Sequence, residues 1–131
     1  VSQDGLLLEL SIGTSSSRST HEQTLQRVTR SEQFWNAWAA SLSLPSGLSP
    51  DESELILRSA LTLRALSYGP TGAIAAAATT SLPEWIGGVR NWDYRFCWPR
   101  DAALSASALL RLGAAGPGMR LLDYLLDVLE E

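Results

Sequence analysis

Between two segments with helical patterning lies a stretch that fits neither an ordinary linker nor a core strand, running from Thr79 to Asp101: TTSLPEWIGGVRNWDYRFCWPRD. It carries three of the five tryptophans (Trp85, Trp92 and Trp98), three arginines, a Gly87-Gly88 pair, and the acids Glu84, Asp93 and Asp101. It is too aromatic for an ordinary linker and too charged for a buried strand. The rest of the chain therefore has to hold a long irregular loop in place, and long loops of this composition are commonly functional. Indole faces beside Arg and Asp suit a sugar. The ring stacks on the apolar C–H face of a pyranose, the guanidinium donates to hydroxyls, and the carboxylate accepts from them. The same composition also fits a structural loop whose tryptophans plug gaps between helices.

At 131 residues the chain suits one domain or part of one. A net charge of −4 and the lack of a basic cluster argue against nucleic acid as a partner. The single cysteine, Cys97, allows no internal disulfide, and a cytoplasmic setting is the expectation. Cys97 reads as a small buried hydrophobe, because the only histidine, His21, lies far away in a polar helix start. A metal site lacks ligands, so no metal or other cofactor is expected. No run is long and apolar enough to span a bilayer, and no basic-then-apolar leader opens the chain. The chain opens on Val1 rather than Met, which raises the expectation of a missing N-terminal part.

Along the chain, Leu6 to Ile12 (LLLELSI) reads as a short strand, followed by a Ser-rich connector. Ser19 and Glu22 are spaced as a capping box for a helix to about Leu42, with Leu25, Val28, Trp35, Trp38 and Leu42 as its apolar stripe. Ser49-Pro50-Asp51-Glu52 starts a second helix, with Leu55, Ile56, Ala60, Leu63 and Leu66 on its buried face. Tyr68-Gly69-Pro70 is expected to stop it, with Gly69 as a left-handed cap. Thr71 to Thr80 reads as an irregular segment of small residues packed closely on neighbours. Pro99 opens a third helix, which places Arg100 and Asp101 in its first turn. Leu104, Ala108, Leu109 and Leu112 form its stripe, and Gly113 ends it. Without a ligand, Asp101 would simply be an acid favoured by the helix dipole. Gly116-Pro117-Gly118 reads as a break before a last helix from Met119, whose face carries Leu122, Leu125, Leu126 and Leu129. Four helices, one unpaired strand and one long loop result, and the last helix stops without a cap, as if the chain continued.

The run from Pro70 to Leu104, PTGAIAAAATTSLPEWIGGVRNWDYRFCWPRDAAL, resembles the signature of glycoside hydrolase family 15, most closely its bacterial trehalase and glucoamylase-like branch. The similarity extends over most of Phe34 to Gly113 and is strongest from Gly87 to Asp101. It implies a mainly α fold, an (α/α)6 barrel of inner and outer helices preceded by a β-sandwich domain. Residues 1–18 would then be the end of that sandwich and its connector, and residues 19–131 the opening, incomplete part of the barrel. A half-built barrel exposes apolar helix faces, which favours oligomers.

The resemblance also implies a site. Tyr94 to Asp101 (YRFCWPRD) is similar to the family's first substrate-binding loop, in which an Arg-Asp pair binds hydroxyls of a glucose. Arg100 and Asp101 stand at those positions, and Tyr94 and Trp98 at aromatic positions lining the same pocket. The implied partner is an α-glucoside, trehalose or a maltooligosaccharide. Family members invert the anomeric centre with two glutamates set about 6.5–9.5 Å apart. Both lie well downstream of this signature, so no catalytic residue is assigned here. Asp93, Asp101 or Glu84 could chemically form a pair, but the matched role of Asp101 is binding, and a general acid needs a raised pKa in a closed cleft. The chain departs from the family pattern at Ala78, Trp85, Pro99 and the loop Ser43 to Glu54, which bears on substrate detail more than on fold. The competing reading is a non-catalytic protein that binds carbohydrate weakly or acts as an interaction module.

Overall fold

The computed structural model describes residues 19–130, so the strand expected over Leu6 to Ile12 lies outside them. The described residues form four helices: α1 (His21–Ala40), α2 (Pro50–Ala65), α3 (Pro99–Arg111) and α4 (Ala115–Glu130). No strand forms among the described residues. Two isolated antiparallel bridges do, one pairing Ser67 with Ile74 and the other Thr80 with Asp93. The mainly helical class therefore holds. The chain divides into two compact units, Val1–Trp38 and Ala39–Glu131.

The first unit is, among its described residues, the body of α1. Its capping box sits one residue later than the spacing of Ser19 and Glu22 predicts. Thr20 Oγ1 accepts from the Gln23 N–H at 3.2 Å, and the Thr20 N–H donates to Gln23 Oε1 at 2.9 Å. Thr and Gln serve this reciprocal motif as well as Ser and Glu, so two registers were open to the sequence. The apolar stripe is present in spacing but uncovered. Leu25 and Val28 are about half exposed, and α1 buries none of its residues. Phe34, Trp35 and Trp38 pack edge to face, with ring centroids 5.3 and 6.4 Å apart.

The second unit is built on α3, which packs against both α2 and α4. Its core is Ala60 of α2, Ile74 of the irregular segment, Ala102, Ala106 and Leu109 of α3, and Leu121 of α4. Three of these six are alanines, so the helices approach closely and each contact depends on small volume. The buried face of α3 runs through Ala102, Ala106 and Leu109, and Leu104, expected on that face, points to solvent at 67 % exposure. Leu55 of α2 is likewise exposed, and Leu57 is half-buried instead. Large side chains marked the stripes in the sequence, whereas the actual seam uses alanine because the helices are close.

The helix ends follow local chemistry. Ser49 caps α2 in a full capping box with Glu52, and Pro50 takes the first turn, as the sequence predicts. The stop differs. α2 ends at Ala65 with Leu66 as C-cap, and Gly69 is not left-handed; the positive φ comes at Gly72, +85°. At the end of α3, Gly113 has φ +81°, the Gly113 N–H donates to Leu110 O at 3.0 Å, and the Ala114 N–H donates to Leu109 O at 2.9 Å. That pair of bonds is a Schellman motif. The expected break at Gly116-Pro117-Gly118 is instead the first turn of α4. There the missing N–H of Pro117 costs nothing. Gly118 is buried, and a Cβ on it would stand 3.0 Å from Leu110 Cγ. Leu122, Leu126 and Leu129 on α4 remain exposed.

Candidate functional site

The segment from Leu66 to Trp98 folds as two irregular arms laid antiparallel. The Tyr68 N–H donates to Ala73 O at 2.7 Å and the Ala75 N–H to Leu66 O at 3.1 Å. Further out, Ala76 donates to Phe96 O at 3.1 Å, Ala77 to Tyr94 O at 2.8 Å, Ser81 to Trp92 O at 2.7 Å, and Glu84 to Arg90 O at 3.3 Å. The Gly88 N–H closes the tip by donating to Trp85 O at 2.9 Å, with Gly87 at φ +81° in the third position of the turn. A side chain on Gly88 would come 2.9 Å from Trp85 Nε1. In the Gly-Gly pair one residue thus supplies the angle and the other the space.

The returning arm brings the aromatic residues together at the start of α3. Trp98, half-buried, is the N-cap of α3 and meets Tyr94 edge on, with centroids 5.5 Å apart and planes at 60°. Trp92 meets its other side at 6.4 Å and 84°. The Trp98 indole N–H donates to the Asp93 carbonyl at 2.9 Å. Trp92 is a third aromatic of this cluster, to which the sequence alone assigns no separate role; its six-residue spacing from Trp98 is the available signal.

Arg100 and Asp101 occupy the first turn of α3, where no side chain caps the helix. Arg100 Nη2 lies 3.3 Å from Asp101 Oδ2. The Arg100 side chain is 75 % exposed and that of Asp101 32 %, so both present polar atoms to solvent in the turn that follows Trp98. All four sequence-selected residues, Tyr94, Trp98, Arg100 and Asp101, thus fall within one short stretch around the helix start.

Two further charged pairs organise the loop. Arg95 wraps back on Asp93: Oδ1 accepts from the Arg95 N–H at 3.0 Å and from Nε at 2.9 Å, and Oδ2 accepts from Nη2 at 2.8 Å. Those bonds hold the Asp93 carboxyl below the usual aspartate value and push the Arg95 guanidinium above its own. A carboxyl kept ionised in this way is poorly suited to act as a general acid. Nearer the tip, Arg90 Nη1 stands 3.5 Å from Glu84 Oε2. All three acids considered as an alternative catalytic pair, Glu84, Asp93 and Asp101, are therefore engaged with arginines. Cys97 is half-buried. Among the described residues no three His, Cys, Asp or Glu side chains cluster as a metal would require. None of their helices is long and apolar enough to cross a membrane.

Comparison with known proteins bears on the family of the chain. Residues 50–126 match the model of glycosyl hydrolases family 15. The trehalases of Thermoplasma acidophilum and Thermoplasma volcanium are 40 % and 39 % identical to the chain, each over 86 % of its length. A trehalase of Mycolicibacterium smegmatis is 35 % identical over 95 % of it. These alignments cover 19 %, 17 % and 18 % of the respective relatives, so the chain spans less than a fifth of their length. No solved structure matches. The matched residues take in α2, the paired arms, the aromatic cluster and α3, and on that ground the chain belongs to glycosyl hydrolases family 15.

Proposed function

We propose that this chain supplies the glucose-binding loop of an inverting α-glucoside hydrolase, with trehalose as the substrate and a maltooligosaccharide as the runner-up. The observation that carries the reading is that Trp92 and Tyr94 close on Trp98, the N-cap of α3, and that Arg100 and Asp101 follow it in the uncapped first turn. Aromatic faces stack on the apolar side of the sugar, while Arg100 donates to its hydroxyls and Asp101 accepts from them. The name trehalase, shared by the relatives, favours trehalose.

In this reading the described helices open an (α/α)6 barrel, residues 1–18 belong to the end of a preceding β-sandwich, and the general acid and base are glutamates of a longer parent. The chain alone then binds but does not hydrolyse, no cofactor takes part, and the setting is cytoplasmic. The test is Arg100→Ala in the full-length protein that carries this chain. We expect kcat/KM on trehalose to fall by about a hundredfold, because hydroxyl contacts that tighten in the transition state are lost. Near-normal kcat/KM would remove the site assignment.

A second reading, a non-catalytic carbohydrate-binding or interaction protein, draws on the exposed leucines of α4. The intact mass of the protein from its natural host separates the two. A mass several times that of this chain supports the hydrolase, and a mass equal to this chain alone supports the interaction protein.

A further inference from the structure

Asp93 is held at both ends, and its two ends serve different neighbours. Its carboxylate takes three hydrogen bonds from Arg95, one from the backbone N–H and two from the guanidinium. Its carbonyl takes the indole N–H of Trp98. Its backbone also bridges to Thr80 on the opposite arm, and the next carbonyl, that of Tyr94, accepts from the Ala77 N–H at 2.8 Å. The backbone on both sides of the Asp93 carbonyl is thus held, by the Thr80 bridge before it and by the bonds to the Tyr94 carbonyl and the Arg95 N–H after it, which restrains the direction of that carbonyl.

The indole has to follow the carbonyl instead. Trp98 has Tyr94 and Trp92 as ring neighbours, both edge on. The directional contact on Trp98 is the bond to Asp93. Trp98 also stands immediately before Pro99, Arg100 and Asp101, so its orientation sets the approach to the first turn that carries the polar pair. The Arg95 fork is suited to this task. It grips both carboxylate oxygens in one plane, which a lysine could not do.

We infer that Asp93 and Arg95 are positioning residues: they lock the carbonyl that aims the Trp98 ring at a bound sugar. The inference rests on the reading of Trp98 as a sugar-stacking face. Neither residue need touch the sugar. A ring that stacks equally on bound substrate and transition state affects KM more than kcat.

The experiment uses the full-length protein with Asp93→Ala, Arg95→Ala, the double variant and Trp98→Phe. Near-UV circular dichroism is read as the difference from Trp98→Phe, which isolates the Trp98 signal, and KM and kcat are measured on trehalose. Arg95→Ala is the milder change, since it removes the fork and leaves the backbone carbonyl in place; far-UV circular dichroism checks that helices persist. The expected result is that Asp93→Ala and Arg95→Ala each lose most of the Trp98 signal. KM should rise about tenfold to a hundredfold, with kcat changed little. The double variant should be no worse than Asp93→Ala, because the two act through one contact. An intact Trp98 signal in Arg95→Ala, or additive losses in the double variant, would overturn the positioning role while leaving the sugar pocket standing. If Trp98→Phe itself left KM and kcat unchanged, the pocket reading would fall, and the inference with it.

Discussion

Gly72 shows how much a single residue can be constrained by what passes beside it. Its φ is +85°, and a Cβ added there would stand 2.6 Å from the carbonyl carbon of Arg120. Gly47 has nearly the same φ, +82°, with nothing within 4 Å of its would-be Cβ. The two separate conformational strain from collision. Gly47→Ala should cost about 1–2 kcal/mol from the left-handed backbone alone. Gly72→Ala carries that strain plus an overpacking cost of about 1–3 kcal/mol, because Arg120 backbone in α4 cannot swing away as a side chain tip can. Urea unfolding of the two variants measures the difference, and equal losses would contradict the close approach. The sequence marked Thr71 to Thr80 as small residues packed tightly on something; it could not say that the something was α4. Arg95 is the same lesson in charge. An Asp two residues before an Arg is a local motif any reader can find, but that its carbonyl also serves Trp98 depends on the fold of the whole turn.

At the scale of elements, α2 is the helix whose start was most fully written in the sequence. The Ser49 N–H and Oγ donate to Glu52 Oε2 at 2.8 and 2.7 Å, and Ser49 Oγ accepts from the Glu52 N–H at 3.3 Å. The bond from the Ser49 backbone N–H, then that from its hydroxyl, lowers the Glu52 pKa below 4.5. A carboxyl depressed in the folded state stabilises it fully above its unfolded value, and the gain is lost as pH falls through the folded value. Thermal stability should therefore draw no loss from this cap down to about pH 4.5 and decline with further acid, and Glu52→Gln should lack that part of the decline. An identical acid limb in Glu52→Gln, followed by circular dichroism, would sink the linkage. Ser49→Ala should cost about 1 kcal/mol at neutral pH. The buried faces were harder to read than the caps. Leu104 and Ala102 lie two residues apart and thus on different faces of α3, and a pattern search prefers the leucine. The fold buries the alanine because α3 has close neighbours on two sides.

For the whole molecule, the balance between buried and exposed apolar surface decides behaviour in solution. Among the described residues the fully buried large side chains are Ile74, Leu109 and Leu121, while Leu122, Leu126 and Leu129 of α4 stay 47 %, 50 % and 81 % exposed. Such a strip favours association. The isolated 131-residue chain should sediment as a concentration-dependent oligomer, and Leu126→Lys with Leu129→Glu should shift it toward monomer. A strictly monomeric wild-type chain over the same range would count against this. The residue sequence by itself determined what depends on neighbours along the chain: four helices, the Ser49 cap, the Gly113 stop, the turning Gly-Gly pair, and the family signature with Tyr94, Trp98, Arg100 and Asp101 close together. Capping and turn chemistry act over three or four residues, so they can be read locally. Only the tertiary structure decided which face of α3 and α4 is buried, that Gly116-Pro117-Gly118 opens a helix rather than breaking one, and that Trp92 closes on Trp98 beside the Asp93–Arg95 clamp. Those outcomes depend on the volume and direction of groups brought close by folding, and periodicity along a sequence carries neither.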